Sequence, residues 1–361
     1  MSYVKIFFVL ILSILVSFGV FFLHKSTPKV SVILLTHNRH DLLPRALDSI
    51  LNQTYQNFEL IVINDASSDN TAEVLENYRV KDKRVRVINN ETNQGIVPNR
   101  NKGIFLSTGK YITWQDDDDV SEPTRLEEQV RFLEKHNDIT ILGTQISLLN
   151  SERMIYLWPT ETDPEKAEIA FLIGRMPIVL TTGMWRADFI KKHKIFFDES
   201  VPLVEEFAIY DKLFAHGGKM MTLNKSLYQY RIHRTNPQQY YDKIMEIQSI
   251  IYKDRWKKFF PNFDFPEMTC ERLNYVRTHN RFFRQNLLDE MYMTHCKSGI
   301  YDPTYTHQKI VYEDGYEDHV IFSINTGKFY SERKKKGGKV IGKEKGKIKI
   351  LWNGETTPQI Y

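Results

Sequence analysis

Four consecutive carboxylates, Asp116, Asp117, Asp118 and Asp119, are the residues whose type and spacing most plainly imply chemistry. Like charges set side by side repel, and burial at a strand end raises that cost unless a cation shares the site. A divalent ion held through one or two carboxylates, with its other positions left to water and phosphate oxygens, is the pattern of Mg²⁺ or Mn²⁺ on a diphosphate. Taken alone, the run also reads as a solvated acidic loop ahead of Pro123. Its meaning therefore depends on the elements that carry it.

Those elements alternate. Val30 to Leu35 is a continuous apolar run, as expected of a parallel strand buried on both faces. Asp41 is placed to cap the next helix, Pro44 falls in its first turn, and Leu43, Ala46, Leu47, Ile50 and Leu51 form one helical stripe. The pattern then repeats: a strand from Phe58 to Ile63, a turn from Asp65 to Asp69, a helix from Thr71, a strand from Arg84 to Ile88, a helix from Asn99 to Leu106, and a strand from Tyr111 to Trp114. Strands alternating with helices predict an α/β fold with a doubly wound, mostly parallel sheet. In such sheets ligands bind beyond the carboxyl ends of the strands. The loops there are polar, reading Thr36-His37-Asn38-Arg39, Asn64 to Asp69, and Gln115 to Asp119. None is the glycine-rich phosphate loop of a dinucleotide dehydrogenase or of an ATPase.

From Val30 to Leu133 the chain resembles the nucleotide-binding half of the family 2 glycosyltransferases, which have the GT-A fold. Four motifs in order carry the resemblance: VSVILLTHNR, ELIVINDASSDNT, NQGIVPNRNKGIFLSTGKYI and QDDDDVSEPTRLE. Thr181 to Arg186 and Tyr228 to His233 resemble later segments of the same family. The resemblance implies transfer with inversion from a nucleotide diphosphate sugar, with UDP the default base, assisted by Mn²⁺ or Mg²⁺. The acceptor would bear carbohydrate, as a glycan, lipid or protein, and no nucleic acid partner is implied. It makes Asp118 and Asp116 the metal ligands, puts Asp117 near the donor ribose or sugar, and leaves Asp119 to close the turn. The family's D-D-G-S turn is Asn64-Asp65-Ala66-Ser67 here, so contact with the base falls to Asp65. Thr36, Asn38 and Arg39 line the same pocket by this analogy, and Arg100 faces the nucleotide. The family's E-D motif falls on Glu205-Glu206, making Glu206 the expected base with Glu205 as the alternative, and His233 would touch the diphosphate or the metal. Glutamate in place of the family's aspartate is the one feature favouring a rival reading, an inactive GT-A domain serving as a glycan-binding or scaffold protein.

The remainder of the 361 residues surrounds this unit. Ile6 to Leu23 runs without a charge and is long enough to span a bilayer core of about 30 Å, so residues 1–27 are expected to form a single-pass anchor that meets the membrane through residues 4–23. Lys25, Lys29 and Arg39 outweigh Lys5 across this run and place the catalytic part on the cytosolic side. The expected units are then the GT-A domain at 28–238, a helical extension at 239–300, and a basic, β-rich appendage at 301–361. In that appendage Asn325-Thr326-Gly327 reads as a hairpin turn, and nine Lys or Arg against two Glu between Ser331 and Lys349 give a local charge of +7 within a chain total of +4. Cys270 and Cys296 fit no metal spacing and read as ordinary buried thiols.

Overall fold

The computed structural model describes residues 29–149, 161–201, 203–231, 238–266, 269–293 and 296, together with the strands between 306 and 360. The expected anchor, His233 and the Asn325 to Gly327 turn lie outside the described residues. Among those described, no helix is long and apolar enough to cross a membrane.

The alternation seen in the sequence is realised as β1 (Val30–Thr36), α1 (Leu43–Leu51), β2 (Phe58–Asn64), α2 (Thr71–Lys81), β3 (Val85–Asn89), α3 (Ile96–Leu106), β4 (Tyr111–Asp116), β5 (Val120–Ser121), α4 (Arg125–Lys135), β6 (Ile141–Leu148), α5 (Pro164–Leu172), β7 (Met184–Arg186), α6 (Ala187–Lys192), α7 (Glu205–Ala215) and β8 (Met220–Tyr230). The strands form one eight-stranded sheet in the order β3-β2-β1-β4-β7-β6-β8-β5. β1 to β4, β6 and β8 run one way, whereas β7 and β5 run against their neighbours. Strand β1 shows why both faces need cover. Val30, Val32 and Leu34 enter the core shared with α1 and α4, while Ile33 enters the opposite core with α3 and α7.

Two local expectations are corrected. Asp41 does not cap α1; the helix starts after Leu42, and the N–H groups of Leu42 and Leu43 reach the Arg39 carbonyl at 3.1 and 2.9 Å. Helix α3 begins at Ile96 rather than Asn99, because Gly95 takes a left-handed φ of 83° and lets the chain turn there. Pro98 then lies in the first turn, where a missing N–H costs nothing.

The extension comprises α8 (Gln238–Phe259), α9 (Thr269–Thr278) and α10 (Gln285–Tyr292). It packs directly on the α/β unit: Tyr252 joins the core with Phe207 and Phe214 of α7, and Trp256, Leu273 and Leu288 close over Ile169 and Leu172 of α5. Buried Arg255 ties three helices together, donating to Glu168 at 2.5 Å and Asp211 at 3.2 Å. Cys270 and Cys296 are not thiols. Their Cα atoms lie 5.8 Å apart and the sulfurs are bonded. Beyond them, β9 (Thr306–Val311), β10 (Tyr316–Ser323) and β11 (Lys328–Lys335) form one antiparallel sheet, and β12 (Lys339–Glu344), β13 (Lys347–Leu351) and β14 (Gln359–Ile360) another. Ser323 pairs with Lys328, so β10 and β11 flank the expected hairpin turn.

Candidate functional site

Strands β1, β2 and β4 end level with one another. Thr36 pairs with Asn64 and Leu35 with Asp116, so the three polar loops rise side by side from one end of the sheet. The acidic turn is braced from beneath by residues of its own motif to which the sequence pattern assigned no role. The Gln115 amide donates to the carbonyls of Asp116 and Asp119, both at 3.0 Å, and accepts from the Ser121 hydroxyl at 2.6 Å. Fully buried Arg125 donates to the Trp114 and Thr181 carbonyls and to the hydroxyls of Ser121 and Thr113, and lies 4.8 Å from the Tyr228 ring centre. A signal for it existed: Arg125 and Gln129 occupy the same stripe as Leu126, Val130 and Leu133, where a polar side chain must have partners.

The four acids are not equivalent. Asp119 is buried and accepts the Arg231 N–H at 2.7 Å through one oxygen. Burial, with Asp116 close by, pushes its carboxyl up to about 9. It thus fastens the acidic turn to the end of β8 as well as closing it. Burial raises Asp116 to about 7, aided by the charges of Asp118 and Asp117 and opposed by Arg100 and Arg125. Asp117 rises to about 6 for the same first reason, with Thr36, Arg39 and the His37 N–H pulling the other way. Arg39 reaches across the cleft, 3.8 Å from Asp117 and 3.9 Å from Asp118. Several carboxylates are thus held where their charges are under-compensated, the condition a divalent ion relieves. Among the described residues no three metal-ligating side chains gather. An ion at this turn would be held by one or two carboxylates, leaving room for phosphate oxygens.

Across the cleft, α7 opens with the two glutamates. Arg100 on α3 donates to Glu205 at 2.6 Å, both side chains nearly buried, and its guanidinium lies 5.3 Å from the Phe197 ring centre. Arg100 thus spends one hydrogen bond on an acid of the chain itself. Glu206 beside it is half-buried. Burial raises it to about 7, with Arg100 lowering it and Glu205 and Asp116 raising it. One turn on, Tyr210 is fully buried and its hydroxyl has no partner among the described residues. Tyr230, at the end of β8, feels Asp119, Asp116, Asp118 and Glu206 together, and with its burial these push its ionisation upward. Tyr230 thus lies within electrostatic reach of both acidic groups.

The remaining expected pocket residues are brought together on the β1 and β2 loops. Asn38, at a left-handed φ of 54°, accepts the Ser68 N–H at 2.8 Å and donates its own to Ser67 at 3.0 Å. Asp65 has a structural task. It accepts the N–H groups of Gln94 and Gly95 and the Asn90 amide, each at 2.8 Å, and so holds the start of α3. Burial alone would raise its carboxyl, but those donors outweigh it and hold it below the usual range.

A mixed sheet in this strand order, with acids at the end of β4 facing an acid at the start of α7, is the GT-A arrangement of nucleotide-sugar transferases. Residues 31–188 match the glycosyl transferase family 2 model. The chain is 30% identical over 218 residues to an uncharacterized glycosyltransferase of Haemophilus influenzae, covering 58% of this chain and 67% of that one. It is likewise 30% identical over 239 residues to one of Methanocaldococcus jannaschii, covering 64% and 80%. Among solved structures it resembles residues 1–349 of S. aureus TarS, with a TM-score of 0.50 at 19% identity, covering 76% of this chain and 73% of that one. The chain belongs to glycosyltransferase family 2, and a nucleotide sugar is its donor.

Proposed function

We propose that the chain is a membrane-tethered, inverting, metal-dependent hexosyltransferase that uses a UDP-sugar and delivers the sugar to a hydroxyl of a glycan, lipid or protein acceptor. The observation that carries this reading is the division of labour at α7, where Glu205 neutralises Arg100 while Glu206, raised to about 7, shares the cleft with Asp116. A carboxylate with that proton affinity is matched to general-base work near neutral pH. Glu206 takes the proton of the acceptor hydroxyl as its oxygen bonds to the anomeric carbon. The bond from that carbon to the diphosphate breaks on the opposite face, and the electron pair leaves with the nucleotide. Asp118 and Asp116 would hold Mn²⁺ or Mg²⁺, which when bound supplies positive charge to the departing diphosphate. Asp117 would meet the ribose or sugar, with Thr36, Asn38, Arg39 and Asp65 lining the nucleotide pocket. A fold neighbour, TarS residues 1–349, is known in complex with UDP-GlcNAc, which supports UDP as the base here. The reading also keeps the layout of anchor (1–27), GT-A domain (28–238), helical extension (239–300) and β appendage (301–361). Its test is transfer by the Glu206→Gln variant, with the product anomer read by NMR. Retained wild-type turnover, or retention of configuration, sinks it.

A further inference from the structure

Helix α7 starts at the cleft and ends far from it. Its last turn leads to His216, whose ring lies 4.9 Å from that of His193 after α6, and α6 follows Arg186, the partner of Tyr111 at the start of β4. Helix α8 descends along it: Tyr252 meets Phe207 with ring centres 5.7 Å apart, then Arg255 and Lys258 meet Asp211 at 3.2 and 3.0 Å. The end of α8 therefore lies toward the end of the sheet where β1 begins, opposite the acids.

At that end an aromatic surface is left uncovered by the described residues. Phe282 is 55% exposed and Phe263 49%, well above what such rings show inside a fold. They are joined through a continuous set of ring contacts, Phe282 on Phe259 at 5.2 Å and on Phe260 at 6.3 Å, Phe260 on Tyr275 at 5.4 Å, and Tyr275 on Phe263 at 5.0 Å. Exposed Lys257 and Arg281 border these rings in sequence. Only residues 24–29 separate the apolar run Ile6 to Leu23 from Val30, at most about 20 to 25 Å of extended chain. That run, read as a membrane anchor, ties this end of the sheet to a bilayer.

We infer that the Phe259, Phe263 and Phe282 surface docks on an anionic lipid surface, with Lys257 and Arg281 among the headgroups and the cleft facing away from the membrane. Exposed aromatic rings bordered by cations match the interface between acyl chains and headgroups. The inference rests on the anchor being membrane-embedded, as the proposed function holds.

The test uses the full chain in liposomes of phosphatidylcholine alone or mixed with phosphatidylglycerol. An environment-sensitive fluorophore is attached at Phe282→Cys, at Phe263→Cys as a second reporter should the first variant fail to fold, and at Glu91→Cys beside the cleft as control. The docked arrangement gives a several-fold emission gain and quenching by spin-labelled lipid at positions 282 and 263 in anionic liposomes, little in neutral ones, and neither at 91. Joint Lys257→Glu and Arg281→Glu substitution should remove the gain. Emission at 282 and 263 as aqueous as at 91 overturns the inference, and so does shielding that grows with protein concentration in detergent, which would assign the surface to a second copy. Flotation of the full chain separates the two readings: a chain that floats with 282 exposed overturns only the docking surface, and one that fails to float overturns both.

Discussion

Asp65 and the Asp116 to Asp119 turn lie at the ends of β2 and β4, the two strands that flank β1 in one sheet, yet they are opposite kinds of acid. Asp65 receives three donors and is held below its ordinary range, whereas Asp116, Asp117 and Asp119 are buried with too few and are pushed above it. An acid satisfied by its own chain is a structural clamp. One whose charge is left unmet is held ready for something the chain does not supply.

The sharpest break of that comparison comes from the unmet side. Asp118→Ala should lower transfer by at least about 10³-fold, or about 4 kcal/mol of barrier, while thermal unfolding of the ligand-free protein shifts little. A variant with full activity would remove the turn from the mechanism. Glu206→Gln should cost about 10² to 10⁴-fold in turnover and leave stability nearly unchanged. Its neighbour should do the reverse, because Glu205→Gln strips the charge from a nearly buried partner of Arg100 and should cost about 3 kcal/mol of stability. Equal behaviour of the two variants would undo the assignment of the base.

The satisfied side breaks differently. Asp65→Asn weakens two backbone N–H bonds at the start of α3 and should cost about 2 to 3 kcal/mol in denaturant unfolding. Loss of nucleotide binding with stability intact would instead make Asp65 chiefly a ligand contact. The pH dependence separates the two kinds of acid further. For Asp116, Asp117 and Asp119 the folded pKa exceeds the ordinary 3.8, so their contribution is fully present below about pH 4 and is lost as pH rises through about 7, 6 and 9 respectively. Asp65 is lowered, so its contribution is present above the ordinary value and lost on acidification. Added Mn²⁺ should therefore raise the melting temperature more at pH 8 than at pH 5.5, and an equal rise at both would deny that these protons and the ion compete.

Much of this was legible in the sequence because it is periodic or contiguous. The strand and helix alternation, the acidic run and the paired glutamates can be read along the chain. What was not legible depends on partners far apart in sequence. Arg100 meeting Glu205, Asp119 meeting the Arg231 N–H, and the Cys270 to Cys296 bond are products of packing. The Asp41 cap failed because a turn accepted by the Arg39 carbonyl already satisfied the first N–H groups of α1, leaving the side chain nothing to do.

The smallest effect tests the loop that carries Asp65. Ala66 stands where the resembled family has glycine, and it holds a left-handed φ of 55°. Around it Asn64 accepts the Ser67 N–H at 3.2 Å, and Ser67 in turn accepts that of Asn38 at 3.0 Å, so the conformation is enforced from both sides. An alanine pays about 1 to 2 kcal/mol for this geometry, while a glycine gives back about 0.5 to 1 kcal/mol through its freer unfolded chain. Ala66→Gly should therefore stabilise the protein by about 0.5 to 1 kcal/mol in denaturant unfolding and leave the hydrogen bonds in place. If it destabilises instead, the methyl group is packing against something that outweighs its backbone strain, and the loop beside Asp65 is held by contact rather than by its hydrogen bonds.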